Sequence, residues 1–132
     1  MNRGNFNNLA IANPLYSPYG VAAKETLTKL TMWNSIQRKL DKGDDLTQTY
    51  RFAATEKDDL AFVALSQIMR DGKITSGSAW IVPPEMHNPI RQSAVLLTAA
   101  KDPVAAKAFL VFLKSTKAQA VMRGFGYEFS KE

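Results

Sequence analysis

Leu9-Ala10-Ile11-Ala12-Asn13-Pro14-Leu15-Tyr16-Ser17-Pro18-Tyr19-Gly20 decides the fold of this 132-residue chain. Four apolar residues halted by Asn13-Pro14 read as a short buried strand. Ser17 is then placed to cap a helix, and Pro18, whose missing amide is harmless in the first turn, to open it. Ala23, Leu27 and Leu30 recur on one face and carry that helix from Pro18 to about Leu30. The same unit returns downstream. Asp45 can cap a helix from Leu46 to about Thr55, with Leu46, Tyr50 and Ala53 or Ala54 inward. Leu60-Ala61-Phe62-Val63 reads as a buried strand feeding a short helix, Leu65 to Arg70, that stops at Asp71-Gly72.

Between these units, Trp33, Ile36 and Leu40 have helical spacing and predict a short second helix, with Lys42-Gly43-Asp44-Asp45 as a turn. Ala79-Trp80-Ile81-Val82 is predicted as a strand broken by Pro83-Pro84, and Ser93 to Leu97 as another. Asp102 caps and Pro103 opens a helix to about Lys114. Its rows are Val104, Ala108 and Val111, extended by Phe109, Phe112 and Leu113. Ser115 or Thr116 begins a last helix ending near Gly124. Strands alternating with helices predict an α/β fold, with one internal boundary near Ser93 to Lys101.

Composition narrows the function. The chain has no cysteine and one histidine, so disulfides, thiolate metal sites and cysteine nucleophiles are excluded and a metal site is not expected. Seventeen basic against twelve acidic residues give +5, but the cations are scattered along helix faces (Lys24, Lys29, Arg38, Lys39, Lys107, Lys114, Lys117) and read as solvated surface, not a nucleic-acid patch. No apolar run approaches the roughly 20 residues of a membrane span. Residues 1–8 hold no apolar segment, so no signal peptide is expected in this chain. No glycine-rich phosphate loop or nucleophile elbow occurs, and adjacent Asp58 and Asp59 diverge too much to work as an acid–base pair. Neither an enzyme nor a cofactor is expected.

What remains is a set of helix starts. Open α/β folds place ligands at the carboxyl edge of the sheet, where helix N-termini present unpaired amides and a partial positive charge. Three turns could meet there. Ser17-Pro18-Tyr19-Gly20 offers the Ser17 hydroxyl and the Tyr19 and Gly20 amides; Asp45-Leu46-Thr47 offers the Leu46 and Thr47 amides; Val63-Ala64-Leu65 offers the Ala64 amide. Neutral donors of this kind suit a fully deprotonated oxyanion, provided Asp44 and Asp45 turn away to cap their own helix. Blander readings stand beside this one. Capped helix starts are general in α/β proteins, Tyr19 can be a packing residue, Ser66 and Gln67 caps or solvent-facing, Trp33 and Trp80 core, and His87 an exposed loop residue.

Six blocks in order resemble periplasmic molybdate-binding proteins, the solute receptors of molybdate ABC transporters: Leu9 to Pro14, Pro18-Tyr19-Gly20, Phe62 to Gln67, His87-Asn88-Pro89-Ile90-Arg91-Gln92, Asp102-Pro103 and Phe125-Gly126-Tyr127. The resemblance runs from about Phe6 to Tyr127 and matches the C-terminal half of such receptors. It implies one lobe of a type II periplasmic-binding-protein fold, an open mixed sheet flanked by helices, plus the C-terminal helices. Residues 1–92 would form the second-lobe α/β domain. Residues 93–132 would form a returning hinge strand, about Ser93 to Ala99, and helices that normally pack on the first lobe.

By the same resemblance the ligand is a molybdate or tungstate oxyanion held at the Tyr19, Leu46 and Ala64 turns. The partners are that small anion and, in full-length receptors, an ABC transporter permease; the location is periplasmic. Some members carry tyrosine at the Ala64 position and a small residue at the Tyr19 position, the reverse of this chain, so the Tyr19 phenol is expected to serve from the other side. With half the family's donors, affinity is expected to be weakened or lost. The apolar face bearing Phe109, Phe112 and Leu113 is expected to drive a homo-oligomer. The alternative is a structural or interaction module that binds no anion and oligomerises through those helices.

Overall fold

The computed structural model describes residues 6–55, 57–75 and 77–129, so the start of the segment read for an export signal lies outside the described residues. The chain divides into two compact units, one of residues 1–67 with 80–90 and one of residues 68–79 with 91–132.

The first unit is built on β1 (Leu9–Ala12), whose four residues are all buried. It lies at the centre of a parallel three-stranded sheet between β2 (Leu40–Gly43) and β3 (Leu60–Ala61), in the order β2-β1-β3. Leu9 pairs with Leu40 on one side and with Leu60 on the other, and bonds from Asn13 N to Gly43 O (2.8 Å) and from Phe62 N to Ala10 O (2.9 Å) carry both ladders further. α1 (Pro18–Lys29) follows β1 and lays Ala22, Ala23, Thr26 and Leu27 inward. Phe6, Leu9, Ile11, Ala23, Leu27 and Ile36 form the core, with Met32, Trp33, Leu40, Leu60 and Phe62 packed on it. α2 (Leu46–Ala54) follows β2, and α3 (Leu65–Ile68), a single turn, follows β3. The predicted α/β class holds.

Three predictions between these elements need correction. The helix expected over Trp33 to Leu40 is a 3-10 turn at Gln37–Lys39 running into β2, whose Leu40 was expected in that helix and whose Lys42-Gly43 were expected in a turn. The cause lies upstream. α1 ends in a Schellman arrangement, Met32 N bonding Leu27 O (2.8 Å) and Thr31 N bonding Thr28 O (2.9 Å), with Thr31 at φ 57°. That reversal sends the chain back along β1, whose edge then templates Leu40 to Gly43 through main-chain bonds. Asp71-Gly72 does not simply stop a helix. Both residues have positive φ, 51° and 74°, the geometry of a two-residue hairpin turn. It joins β4 (Met69–Arg70) to β5 (Lys73–Ile74), an antiparallel pair in the second unit. The strands expected at Ala79 to Val82 and Ser93 to Leu97 are irregular. Among the described residues no strand lies beside them, and an extended segment without a neighbour has no ladder to make. Trp80 is 49% exposed rather than core.

The second unit also holds α4 (Pro103–Leu113) and α5 (Thr116–Gly124), both capped as predicted. Asp102 Oδ1 accepts from Ala105 N at 2.9 Å and Ser115 Oγ from Ala118 N at 3.2 Å.

Candidate functional site

Because β1, β2 and β3 are parallel neighbours, their carboxyl ends share one edge. The turns into α1, α2 and α3 therefore leave from the same side of the first unit. Sequence order alone does not guarantee this. It follows from β1 lying centrally, between the strands that precede α2 and α3.

Each turn is held by its own chemistry. At the first, Ser17 N and Tyr16 N bond Asn13 O (3.0 and 3.1 Å) and Leu15 N bonds Asn13 Oδ1 (3.1 Å), so Asn13 shapes the loop. Ser17 occupies the N-cap position, but its hydroxyl makes no cap bond. Pro18 has no amide, and the Gly20 amide finds no acceptor among the described residues. Gly20 also sets how close the helix comes. A Cβ there would lie 2.1 Å from Ala12 O and 2.8 Å from the carbonyl carbons of Ala12 and Asn13, so only glycine lets the first turn of α1 rest on the end of β1.

At the second turn the condition on the acidic residues is met for Asp45. Its Oδ1 accepts from Gln48 N (2.7 Å), while Gln48 Oε1 accepts from Asp44 N (2.6 Å). The Asp45 carboxylate thus caps α2, and the Leu46 and Thr47 amides and the Thr47 hydroxyl have no partner among the described residues. Buried Thr49 fixes this turn from below through Oγ1 to Asp45 O (2.7 Å).

The third turn departs from expectation. Ala64 is buried, and its amide is taken by Gln67 Oε1 at 3.0 Å. Gln67 Nε2 donates onward to Leu46 O at 3.0 Å. Sequence reasoning took Gln67 as a cap or a solvent-facing residue. The local half of its role was legible, since glutamine three residues after Ala64, the residue that precedes the helix, is capping-box spacing. The bond to a carbonyl 21 residues back was not. The free donors on this edge are therefore the Ser17 hydroxyl, the Gly20, Leu46 and Thr47 amides and the Thr47 hydroxyl, with Tyr19 half-buried beside them.

At the opposite end of the sheet lies a carboxyl pair outside this edge. Lys57 Nζ is 2.9 Å from Asp41 Oδ2. Asp58 is 3% exposed with both oxygens out of hydrogen-bonding geometry, whereas Asp59, as expected of adjacent residues, points elsewhere, to Asn7 N at 2.5 Å. Burial pushes the Asp58 carboxyl up, reinforced by the Asp41 charge and contact, against smaller opposing effects of Lys57 and Asn8. Lys57 holds Asp41 down. Against α1, Glu25 receives Asn88 N and Nδ2 at 2.7 Å each, which holds its carboxyl down, and Lys29 donates to Glu85 O. His87 beside them is half-buried, not exposed, with Nδ1 2.8 Å from Asn88 O. No three His, Cys, Asp or Glu among the described residues group to hold a metal ion.

A parallel sheet with helix starts along one edge is an arrangement able to hold a ligand, and comparison with known proteins gives the class of the fold. Residues 1–128 match the model of the bacterial extracellular solute-binding protein family, and the chain belongs to that family. It is 47% identical over 122 residues to molybdate-binding protein ModA of Azotobacter vinelandii, aligning 92% of this chain with 48% of that one. It is 44% identical over 119 residues to the protein of the same name from Rhodobacter capsulatus, aligning 90% with 46%. Its structure matches that of the Azotobacter vinelandii periplasmic molybdate-binding protein with a TM-score of 0.89 at 32% identity, covering 96% of this chain and 56% of that one. The fold is that of one lobe of such a receptor, and the chain spans about half the length of these relatives. Among the described residues, no helix is long and apolar enough to cross a membrane.

Proposed function

We infer that this chain supplies one side of a molybdate or tungstate site in the solute-binding component of a molybdate ABC transporter, working in the periplasm with the transporter's permease. The observation that carries this is the shared edge of β1, β2 and β3. Uncharged donors from two full-length helix starts remain free there, and the Asp45 carboxylate is spent on its own cap. Helix N-termini and neutral donors favour a tetrahedral dianion that has no proton of its own to give. The Tyr19 phenol serves the same anion; Tyr19→Phe is expected to bind molybdate less tightly, and equal binding removes the phenol from the site.

One lobe's donors enclose only part of a dianion. Hydrogen bonds to charged groups contribute about 1.5–3 kcal/mol each, so two or three that are unmade weaken affinity about a thousandfold or more. These 132 residues alone are therefore expected to bind weakly. Calorimetric titration with molybdate, with sulfate as control, tests the reading. Saturable heat with molybdate and none with sulfate supports it; no heat at millimolar molybdate overturns it for this chain.

A second reading has its own observation. α4 carries one charged residue, Lys107, in eleven, yet none of its residues is buried; Val104 is 79% exposed, Phe109 58% and Val111 65%. A helix apolar on all sides belongs in an interior. Self-association through this face would make the chain an interaction module whether or not it binds an anion.

A further inference from the structure

We propose that Gln67 is the positioning residue of the oxyanion edge: its side-chain amide ties the start of α2 to the β3–α3 turn and so sets the spacing of the donors. This rests on the molybdate reading above.

Gln67 makes three bonds that fix both ends of the tie. Its main-chain N donates to Ala64 O at 2.9 Å, Oε1 accepts from Ala64 N at 3.0 Å, and Nε2 donates to Leu46 O at 3.0 Å. The first two make Ala64 and Gln67 a closed local ring. The third crosses to α2 at the residue that begins the helix. Leu46 and Thr47, whose amides are free for an anion, are thereby held against a turn that is itself anchored by β3 pairing with β1. Among the described residues no other side-chain hydrogen bond links the two turns: the Gln48 side chain, the other glutamine here, bonds within its own turn, to Asp44 N.

The same bonds explain why α3 can be a single turn and still mark a fixed point. The Ala64 amide does not face an incoming anion unpaired. It is neutralised inside the protein by Gln67 Oε1, and the contribution of the third turn passes to α2 as position rather than as a donor. Pre-set donors are worth more to an anion than mobile ones because no ordering is left to do on binding. The Gln67 amide is suited to this because it offers an acceptor and a donor about 2 Å apart on one rigid plane, matching the Ala64 amide on one side and the Leu46 carbonyl on the other.

The test uses Gln67→Met, which keeps length and loses both bonds, Gln67→Asn, which is one methylene too short to span both partners, and Gln48→Met as a control that removes a cap on the same edge without cutting the tie. Two readouts are taken: amide hydrogen exchange at Ala64 without ligand, and the molybdate Kd well below the melting temperature. The expected result is a protected Ala64 amide in the parent that exchanges at least tenfold faster in Gln67→Met, with a Kd at least tenfold weaker in both Gln67 variants and within about twofold of the parent in Gln48→Met. If Gln67→Met and Gln48→Met weaken binding equally, Gln67 is only another stabilising side chain and the proposal fails. Failure of the parent to take molybdate sinks the oxyanion reading instead. The tie is then judged by exchange, and equal Ala64 rates in parent and Gln67→Met overturn it.

Discussion

Gly20→Ala is the sharpest perturbation the structure offers, because a helix-favouring substitution should here destabilise the protein. In an unhindered helix, alanine for glycine stabilises by about 0.5–1 kcal/mol. At Gly20 the new methyl would sit 2.1 Å from Ala12 O, more than 1 Å inside ordinary contact. The obstructing atoms are main chain of β1, which is buried and paired on both sides, so no rotamer change relieves the clash. The first turn of α1 must lift instead. Overpacking of this kind costs about 1–3 kcal/mol, and a rigid obstacle belongs at the upper end. The net loss is therefore about 2 kcal/mol, or a fall in Tm of roughly 6–10 °C for a chain of this size. The lift also carries the Gly20 amide away from the Leu46 and Thr47 amides, so molybdate binding should weaken with it. Gly124→Ala is the internal control: its methyl meets Asp71 at 3.6 Å, an ordinary contact, and Tm should hold or rise slightly. Thermal unfolding by circular dichroism and the molybdate titration read both effects. A Gly20→Ala protein that melts within 2 °C of the parent and binds equally would refute the close approach of α1 to β1.

Asp45→Ala removes the bond to Gln48 N and should lower stability by about 1 kcal/mol in denaturant unfolding; an unchanged midpoint would show that the cap contributes nothing. Asp58→Asn should act through pH. A carboxyl held above its ordinary 3.8 by burial means the folded state binds its proton more tightly than the unfolded state, so its stabilising contribution is full below about pH 4 and is lost as pH rises through the raised value. The asparagine variant should melt with the parent at pH 3.5 and several degrees above it at pH 7, and coincident melts at pH 7 would exclude a buried charge at that position. Asp41 titrates in the opposite sense, its contribution lost as pH falls, and should keep the parent from gaining indefinitely in acid. Val104→Glu with Phe109→Glu should leave a monomer in sedimentation velocity where the parent self-associates; a parent that is already monomeric at 100 µM would remove the second functional reading.

What the sequence made legible is what local chemistry decides. Asp45, Asp102-Pro103 and Ser115 each mark a helix start within one residue of where it falls, because a cap is satisfied by atoms three residues away, and Ser17-Pro18 marks its start through the proline, which sits at N1 while the Ser17 hydroxyl makes no cap bond. The condition that the acidic side chains cap their own helix is met by Asp45, whose Oδ1 accepts from Gln48 N. β2 was hidden for the opposite reason. Leu40-Asp41-Lys42-Gly43 has neither alternation nor a β-branched residue, and becomes a strand because β1 offers an unpaired edge where the Schellman turn at Thr31 returns the chain. Ser93 to Leu97 shows the converse: a good apolar pattern with no strand beside it stays irregular, and Val95 and Leu97 are left 77% and 67% exposed. Asp71-Gly72 carried its hairpin signal openly, but the same dipeptide also ends helices, and only the pairing of Met69 with Ile74 separates the two.

The site divides along the same line. The turns could be found because each is a local motif, but their meeting depends on strand order, and their spacing on a glutamine bond across 21 residues. The two exposed regions of the molecule also differ in what they lack. The Leu46 and Thr47 amides belong to a half-buried and an exposed residue that water can reach, so an anion there adds only the difference between water and ligand. The α4 face has no such substitute. At about 25 cal/mol per Å² of apolar surface, each ~100 Å² left in water represents about 2.5 kcal/mol of unrealised burial before the entropy of association is charged against it. Relatives about twice as long carry further chain with which such a surface could be covered. Hydration of the amide edge and dehydration of the helix face are separate equilibria, so mutations at Val104 or Phe109 should change association without touching the donors at Gly20, Leu46 and Thr47. If they alter molybdate affinity as well, the site is being completed by a second copy of the chain.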